Sequence, residues 1–148
     1  MGLREPEHTG AIVVGLDGSA RSWHAAAYAA GLARRQGSRL ILAYVRQPQP
    51  IAEAAGLGAA VMDTGERAAH EIEIQLKETA QRYAQIPALR WEFRSVGGDV
   101  CDGLIALADE LRADAIVVGA CRSAWHRLAG SPTVRLVKTA HCPVIVVP

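Results

Sequence analysis

Four short runs of mostly apolar residues recur at wide intervals along the chain, and they do not alternate with polar positions. They are Ala11 to Leu16, Arg39 to Val45, Ala115 to Val118 and Val144 to Val147. Aliphatic and β-branched runs of this length predict strands that are covered on both faces, as in a parallel sheet. A fifth run, Arg90 to Val96, alternates apolar and polar residues and predicts a strand near the sheet edge.

Helical spacing follows the first strand. Ser19 is placed to cap a helix that runs to about Gln36, and Gly37 is suited to its left-handed end. Five residues at helical spacing predict the face that this helix buries. They are Trp23, Ala26, Ala27, Ala30 and Ala33.

Two further helices precede the fourth strand. Asp63 with Glu66 fits a capping pattern at the head of a long helix that reaches Tyr83. The stretch before it, Ile51 to Val61, has no firm period and is predicted as a loop that has room for a helical turn. Gly97-Gly98-Asp99 leads into the next helix, whose apolar residues line one side.

The last helix is preceded by a hinge glycine, a cap and a first-turn proline at Gly130-Ser131-Pro132, and it covers Thr133 to Ala140. The element order is therefore β α β α β α β α β. Right-handed crossovers lay this order into one open, doubly wound sheet of five parallel strands with helices on both faces. We expect a single α/β domain over residues 11–148 after a polar tail over residues 1–10.

Composition narrows the function classes. The chain has 148 residues, of which 50% are hydrophobic, and this suits one ordered domain with a substantial core. A net charge of +1 gives no electrostatic case for binding nucleic acid. No apolar segment reaches membrane-spanning length and the N-terminus has no secretory apolar core, so we expect a cytoplasmic protein without membrane contact.

The motifs indicate neither a metal site nor a catalytic group. Cys101, Cys121 and Cys142 have no paired spacing, and small buried side chains explain them better than a disulfide framework or a zinc site. The five histidines lack metal-ligand spacing. The chain also has no GxxxxGK motif and no GxSxG motif, which excludes P-loop nucleotidases and hydrolases with that nucleophile elbow. We assign no catalytic residue and no metal ligand.

A ligand crevice is expected where successive connections leave a doubly wound sheet on opposite faces. Leu16-Asp17 and Val118-Gly119 end the first and fourth strands and should flank it. Two roles of Asp17 weigh equally: a turn residue that accepts from the backbone N–H groups after it, or an acceptor for a ribose hydroxyl. For Ser131 we favour capping of its helix alone over an additional contact to phosphate at the positive helix end.

Five pieces of the sequence together resemble the universal stress protein family. In chain order they are Val14-Gly15-Leu16-Asp17-Gly18-Ser19, Gly97-Gly98-Asp99, Ala113 to Gly119, Gly130-Ser131, and His141-Cys142-Pro143-Val144-Ile145-Val146-Val147. No single piece is specific, but their order and spacing are, and the resemblance covers about Gly10 to Pro148. It implies a Rossmann-like fold of the adenine nucleotide alpha-hydrolase-like type, a homodimer formed through the last strand, and ATP binding in some members.

The resemblance also implies nucleotide contacts, position by position. They are Leu16 and Asp17 at the adenosine, Val45 at the adenine edge, Val118 and Gly119 along the nucleotide, and Gly130, Ser131 and Pro132 at the phosphates. The implied ligand is ATP or a related adenine nucleotide, and magnesium would enter only with it.

One part of the phosphate loop departs from the family pattern. After Gly119 and two residues the pattern has glycine, but this chain has Arg122, and seven residues instead of nine separate it from Gly130. Glycine permits close approach of backbone to phosphate, so its loss changes the cradle. Two interpretations stay open: Arg122 takes the place of phosphate and weakens binding, or it supplies charge that holds phosphate in a changed pose.

Three functions from different classes remain. The first is a nucleotide-responsive stress protein, a binding switch with at most slow ATP hydrolysis. The second is a nucleotide-independent interaction module on the same dimeric scaffold, and the third and weakest is a redox enzyme that uses Cys121. Both of the first two involve a dimer, because the apolar strand near Pro148 is expected at a sheet edge, where antiparallel pairing with a second copy would cover it.

Overall fold

Strands and helices alternate along the described part of the chain. The computed structural model describes residues 10–47, 58–83, 85–120 and 131–148, without the side chains of residues 58–66, 68, 69 and 83. Its elements are β1 (Ala11–Leu16), α1 (Ala20–Gln36), β2 (Arg39–Arg46), α2 (Gly58–Tyr83), β3 (Trp91–Gly97), α3 (Val100–Leu111), β4 (Ala115–Gly119), α4 (Pro132–Thr139) and β5 (Val144–Val147).

The five strands form one parallel sheet in the order β3-β2-β1-β4-β5. In the register, Val14 of β1 lies opposite Leu42 of β2 and Val117 of β4. The chain moves outward from β1 to β3, returns to β4 beside β1, and then moves outward again to β5. The predicted doubly wound sheet is therefore confirmed, with β3 and β5 at its two edges.

Each face of the sheet carries its own apolar core. Side chains of α1 and α2 pack with alternate residues of β1 and β2, including Ile12, Val14 and Leu42. On the other face, α3 and α4 pack with the intervening residues, such as Val13 and Ile41. Because burial on both faces leaves no polar position, the continuous apolar pattern of the central strands follows directly from this arrangement.

Helix α1 begins and ends at the predicted residues. The Ser19 hydroxyl oxygen accepts the Ser22 backbone N–H at 3.2 Å, and Gly37 ends the helix with a φ of 68°. Ala27 was expected on the buried face but is exposed. The buried stripe is centred on Ala26, Ala29 and Ala33, and with 3.6 residues per turn Ala27 falls on the opposite side of the helix. Its buried residues are Ser22, Ala25, Ala26, Ala29, Ala30 and Ala33.

Helix α2 begins earlier than the sequence pattern predicts. It starts at Gly58, so Asp63 lies within the helix and does not cap it, and residues 58–61 of the predicted loop are helical. The alanines there favour helix by intrinsic propensity, although the apolar period that guided the prediction starts only later. Among the helices that the structure describes, none is long and apolar enough to cross a membrane.

Candidate functional site

The carboxyl ends of β1 and β4 lie side by side in the middle of the sheet. Val14 pairs with Val117, and each strand ends two residues further on, at Leu16 and Gly119. From here β1 leads into α1 on one face, and the connection from β4 leads to α4 on the other. This divergence leaves a crevice at the strand ends, the place where open α/β sheets bind ligands.

Asp17 follows β1 and is engaged in the turn that opens α1. Its Oδ1 atom accepts the Ser19 backbone N–H at 2.8 Å, so the predicted turn role is confirmed. Partial burial alone would raise the pKa of the Asp17 carboxyl, but hydrogen bonds from the hydroxyl and the backbone of Ser19 outweigh it and hold the pKa below its usual value. A stable negative charge therefore marks the β1 side of the crevice.

Gly119, the last residue of β4, lies against the backbone of α1. A Cβ atom at Gly119 would lie 2.8 Å from the carbonyl oxygen of Arg21, closer than real Cβ contacts allow. The Arg21 side chain reaches the next residue, where its Nη1 atom donates to the Ala120 carbonyl at 2.9 Å. The glycine at this position is thus required by helix packing, and it brings a guanidinium to the β4 side of the crevice.

Ser131 is the N-cap residue of α4, but its side chain makes no capping hydrogen bond. The residue is 6% exposed, and its buried Oγ atom has no hydrogen-bond partner in the part of the chain that the structure describes. The prediction that this side chain only caps its helix is therefore wrong. The following Pro132 occupies the first helical position, where its missing N–H is not one that a cap side chain accepts, so the proline does not account for the absent capping bond. A buried hydroxyl without a partner is unfavourable, and such groups often mark a binding site.

The other predicted contacts occupy different environments. The Leu16 side chain is 4% exposed in the core under α1, whereas the Val45 side chain is 9% exposed on the opposite face, where it packs against Gly103 of α3. Val118 is half-buried beside that second core, and Pro132 is exposed. The adjacent strand ends thus bring Leu16, Asp17, Val118 and Gly119 together, with Val45 one strand away.

Several sequence-based expectations lie outside the described residues. They concern Arg122 and Gly130 of the phosphate loop, and Cys121 as a redox thiol. Two other cysteines are described, and Cys101 is 1% exposed, as predicted for a small apolar side chain. Burial raises the pKa of the Cys142 thiol, with a further contribution from the Asp109 carboxylate, which disfavours the reactive thiolate.

One acidic cluster invites comparison with a metal site. Ligand atoms of Asp99, Cys101 and Asp102 lie within 4.8 Å of one another at the start of α3. The Arg135 guanidinium donates to the carboxylates of both Asp99 and Asp102. Because the guanidinium of Arg135 already pairs with both carboxylates, contacts within the protein account for the cluster, and it gives no reason to infer a metal ion.

Sequence reasoning missed two features of this edge. One is Arg21, whose only signal is a basic residue in the first turn of a helix, where the macrodipole disfavours it. The other is a cleft of about 300 Å³ between the start of α1 and the side of α2. This cleft is formed by segments that are distant in sequence, so no local sequence pattern predicts it. Its lining residues are Asp17, Gly18, Trp23, Ile72, Gln75, Leu76 and Thr79.

Comparison with known proteins agrees with the fold. The sequence model of the universal stress protein family matches residues 9–148. The chain belongs to the universal stress protein family. No curated protein matches this universal stress protein in sequence.

Solved structures of other universal stress proteins superpose on this one along nearly its whole length. UspA from Lactobacillus plantarum is 24% identical with a TM-score of 0.77, and the match covers 95% of this chain and 98% of that one. A universal stress protein in complex with cAMP is 31% identical with a TM-score of 0.70, covering 94% and 97%. One from Archaeoglobus fulgidus in complex with dAMP is 21% identical with a TM-score of 0.65, covering 95% and 98%.

Proposed function

We propose that this universal stress protein binds ATP or a related adenine nucleotide at the carboxyl edge of its sheet, as a regulatory ligand in a stress response. The observation that carries the proposal is the Ser131 hydroxyl, which is buried without a partner at the amino end of α4. A helix amino end attracts anions through its unpaired N–H groups and its dipole. A phosphate oxygen there would accept a hydrogen bond from the Ser131 hydroxyl, for which the described residues supply no acceptor.

The charge distribution supports a defined orientation of the nucleotide. The Asp17 carboxylate would repel phosphate but can accept hydrogen bonds from the hydroxyls of a ribose. The sugar therefore belongs on the β1 side and the phosphates on the α4 side. A related protein of 31% identity is described in complex with cAMP, which makes an adenine nucleotide the ligand class to test first.

The proposed role is regulation by occupancy. It assigns no catalytic residue, and slow ATP hydrolysis is the most that we would expect from the site. Magnesium would arrive with the nucleotide phosphates and would need no separate protein site. We expect the protein to act in the cytoplasm, and fractionation of cells that produce it tests this expectation.

Isothermal titration of the purified protein with ATP, AMP and cAMP tests the proposal. The wild-type protein should bind at least one of them. S131A should weaken binding roughly tenfold or more, because a hydrogen bond to a charged oxygen contributes about 1.5–3 kcal/mol. S95A is the matched control, since the Ser95 hydroxyl is also buried without a partner but belongs to the edge strand β3. Absence of heat with all three nucleotides at millimolar concentration would refute the proposal.

A homodimer formed through β5 is a further part of the proposal. The strand lies at the sheet edge, and Val146 is 41% exposed there. Pairing with a second copy would give hydrogen-bond partners to the unpaired backbone groups of this edge strand and would cover the Val146 side chain. Light scattering should give a dimer for the wild-type protein and a monomer for V146D. I74D changes a residue of similar exposure, 43%, on α2 and should remain dimeric.

The same exposed edge favours a second candidate function. In it, the dimer acts as an interaction module whose surfaces do not respond to nucleotide. This alternative predicts that the wild-type protein dimerises but gives no heat with adenine nucleotides. The titration and the light-scattering measurement together separate the two functions.

A further inference from the structure

The side chain of Arg21 is fixed at the point where β4 ends. Its backbone lies so close to Gly119 that a Cβ atom on that glycine would come within 2.8 Å of the Arg21 carbonyl oxygen. Its Nη1 atom donates to the Ala120 carbonyl at 2.9 Å in a partly buried hydrogen bond. The first contact places the backbone of Arg21 against β4, and the hydrogen bond directs its guanidinium to the end of that strand.

The charge of Arg21 is not balanced by any carboxylate among the described residues. Among the residues that the structure describes, Ala120 is its one hydrogen-bond partner, and no carboxylate there forms an ion pair with it. A guanidinium has five N–H donors, so most of its capacity is left for another acceptor. Its place in the first turn of α1 is also unfavourable with respect to the helix macrodipole, and the single hydrogen bond to Ala120 leaves the charge itself without a counter-charge among the described residues.

A second and independent feature points to an anion at the same edge. Ser131 opens α4, and its hydroxyl is buried with no partner. The connection from β4 to α4 leaves the sheet at Ala120, beside Arg21, and reaches α4 at Ser131. A free donor thus stands at one end of this connection and an unbalanced cation at the other, while the anionic Asp17 marks the neighbouring strand end.

We propose that Arg21 contacts the phosphate of the bound nucleotide and makes the site select nucleotides over nucleosides, an inference that rests on the proposed function. The planar guanidinium can donate two parallel hydrogen bonds to phosphate oxygens while it stays at the end of β4. Phosphate is drawn away from Asp17 and toward Arg21 and the amino end of α4. Adenosine lacks the phosphate and gains nothing from Arg21.

Titration calorimetry with ATP and with adenosine on the full chain tests this inference. R21M removes the charge but keeps an aliphatic side chain, and R21K keeps the charge but loses the planar fork. R34M is the matched control, because Arg34 is exposed in the last turn of the same helix and its loss changes net charge equally. Thermal unfolding of each variant shows whether the fold is retained.

The expected result is a change in selectivity. R21M should lose about tenfold or more in ATP affinity and keep its adenosine affinity within about twofold, whereas R21K should fall between R21M and wild type. R34M should match wild type for both ligands. Equal losses for ATP and adenosine, or no loss for either, would show that Arg21 only ties α1 to β4. Wild-type protein that binds neither ligand would instead refute the proposed function, and this inference with it.

Discussion

The serines that precede α1 and α4 occupy the same capping position but should respond oppositely to replacement by alanine. The Ser19 hydroxyl oxygen accepts the Ser22 N–H at 3.2 Å and thereby satisfies one free donor of α1. S19A should therefore destabilise the protein by about 1 kcal/mol. For a chain of this length such a loss lowers the melting temperature by roughly 4 °C.

Ser131 gives the contrasting case, because its Oγ atom makes no hydrogen bond within residues 10–47, 58–83, 85–120 and 131–148. A buried polar atom without a partner costs about 1–3 kcal/mol, and alanine removes that atom while it keeps the Cβ packing. Replacing Ser131 by alanine therefore removes no capping hydrogen bond. S131A should thus be neutral or stabilising, by up to about 1 kcal/mol once incomplete filling of the site is included.

Urea and thermal unfolding followed by circular dichroism, on protein freed of nucleotide, provide the assay. The two variants should differ by about 1–2 kcal/mol, well above the error of a paired comparison. Addition of saturating ATP should then stabilise the wild-type protein more than S131A, since ligand binding shifts apparent stability. A loss in S131A as large as that in S19A would show that its hydroxyl caps α4, and the free donor proposed for phosphate would not exist.

Three further perturbations follow from the same contacts. G119A should destabilise the protein by about 1–3 kcal/mol because its Cβ would press on the α1 backbone, while G97A, with nothing within 4 Å, should have a far smaller effect in urea unfolding. Because the pKa of Asp17 is lower in the folded chain than in the unfolded one, its stabilising effect is present above the ordinary value of 3.8 and is lost as pH falls through the folded value. D17N should therefore be less stable than wild type at pH 7, and the difference should shrink in acid; a gap that stays constant with pH would contradict this. L136A removes a side chain that is 2% exposed and should cost about 2–5 kcal/mol and weaken ATP binding, whereas V137A, at a residue that is 55% exposed, should cost about 0.5 kcal/mol or less.

Most of the fold could be predicted because local patterns and topology rules agree. Continuous apolar runs indicated strands with two buried faces, and the alternating run from Arg90 to Val96 indicated an edge strand, as the sheet order confirms. Caps at Ser19 and Gly37 fixed the ends of α1 because both act through residues adjacent in sequence. The start of α2 was missed because the prediction relied on an apolar period, whereas the alanines near Gly58 favour helix by intrinsic propensity alone.

The candidate site was predictable only in part. The adjacent carboxyl ends of β1 and β4 follow from the topology of the sheet. The position of Asp17 could therefore be inferred from the order of strands and helices alone. The free hydroxyl of Ser131 could not, since a serine before a proline reads as an ordinary cap and only the three-dimensional contacts show otherwise. Arg21 was missed for a similar reason, because its proximity to Gly119 depends on the packing of α1 over β4.

Diffraction from crystals grown with ATP is the most direct test that the carboxyl edge between β1 and β4 holds an adenine nucleotide. The account predicts density with a ribose hydroxyl at the Asp17 carboxylate and phosphate oxygens within hydrogen-bond distance of Ser131 Oγ and the Arg21 guanidinium. Density in the cleft lined by Trp23 and Gln75, with the phosphates away from α4, would contradict it. So would an empty edge in crystals grown at saturating nucleotide.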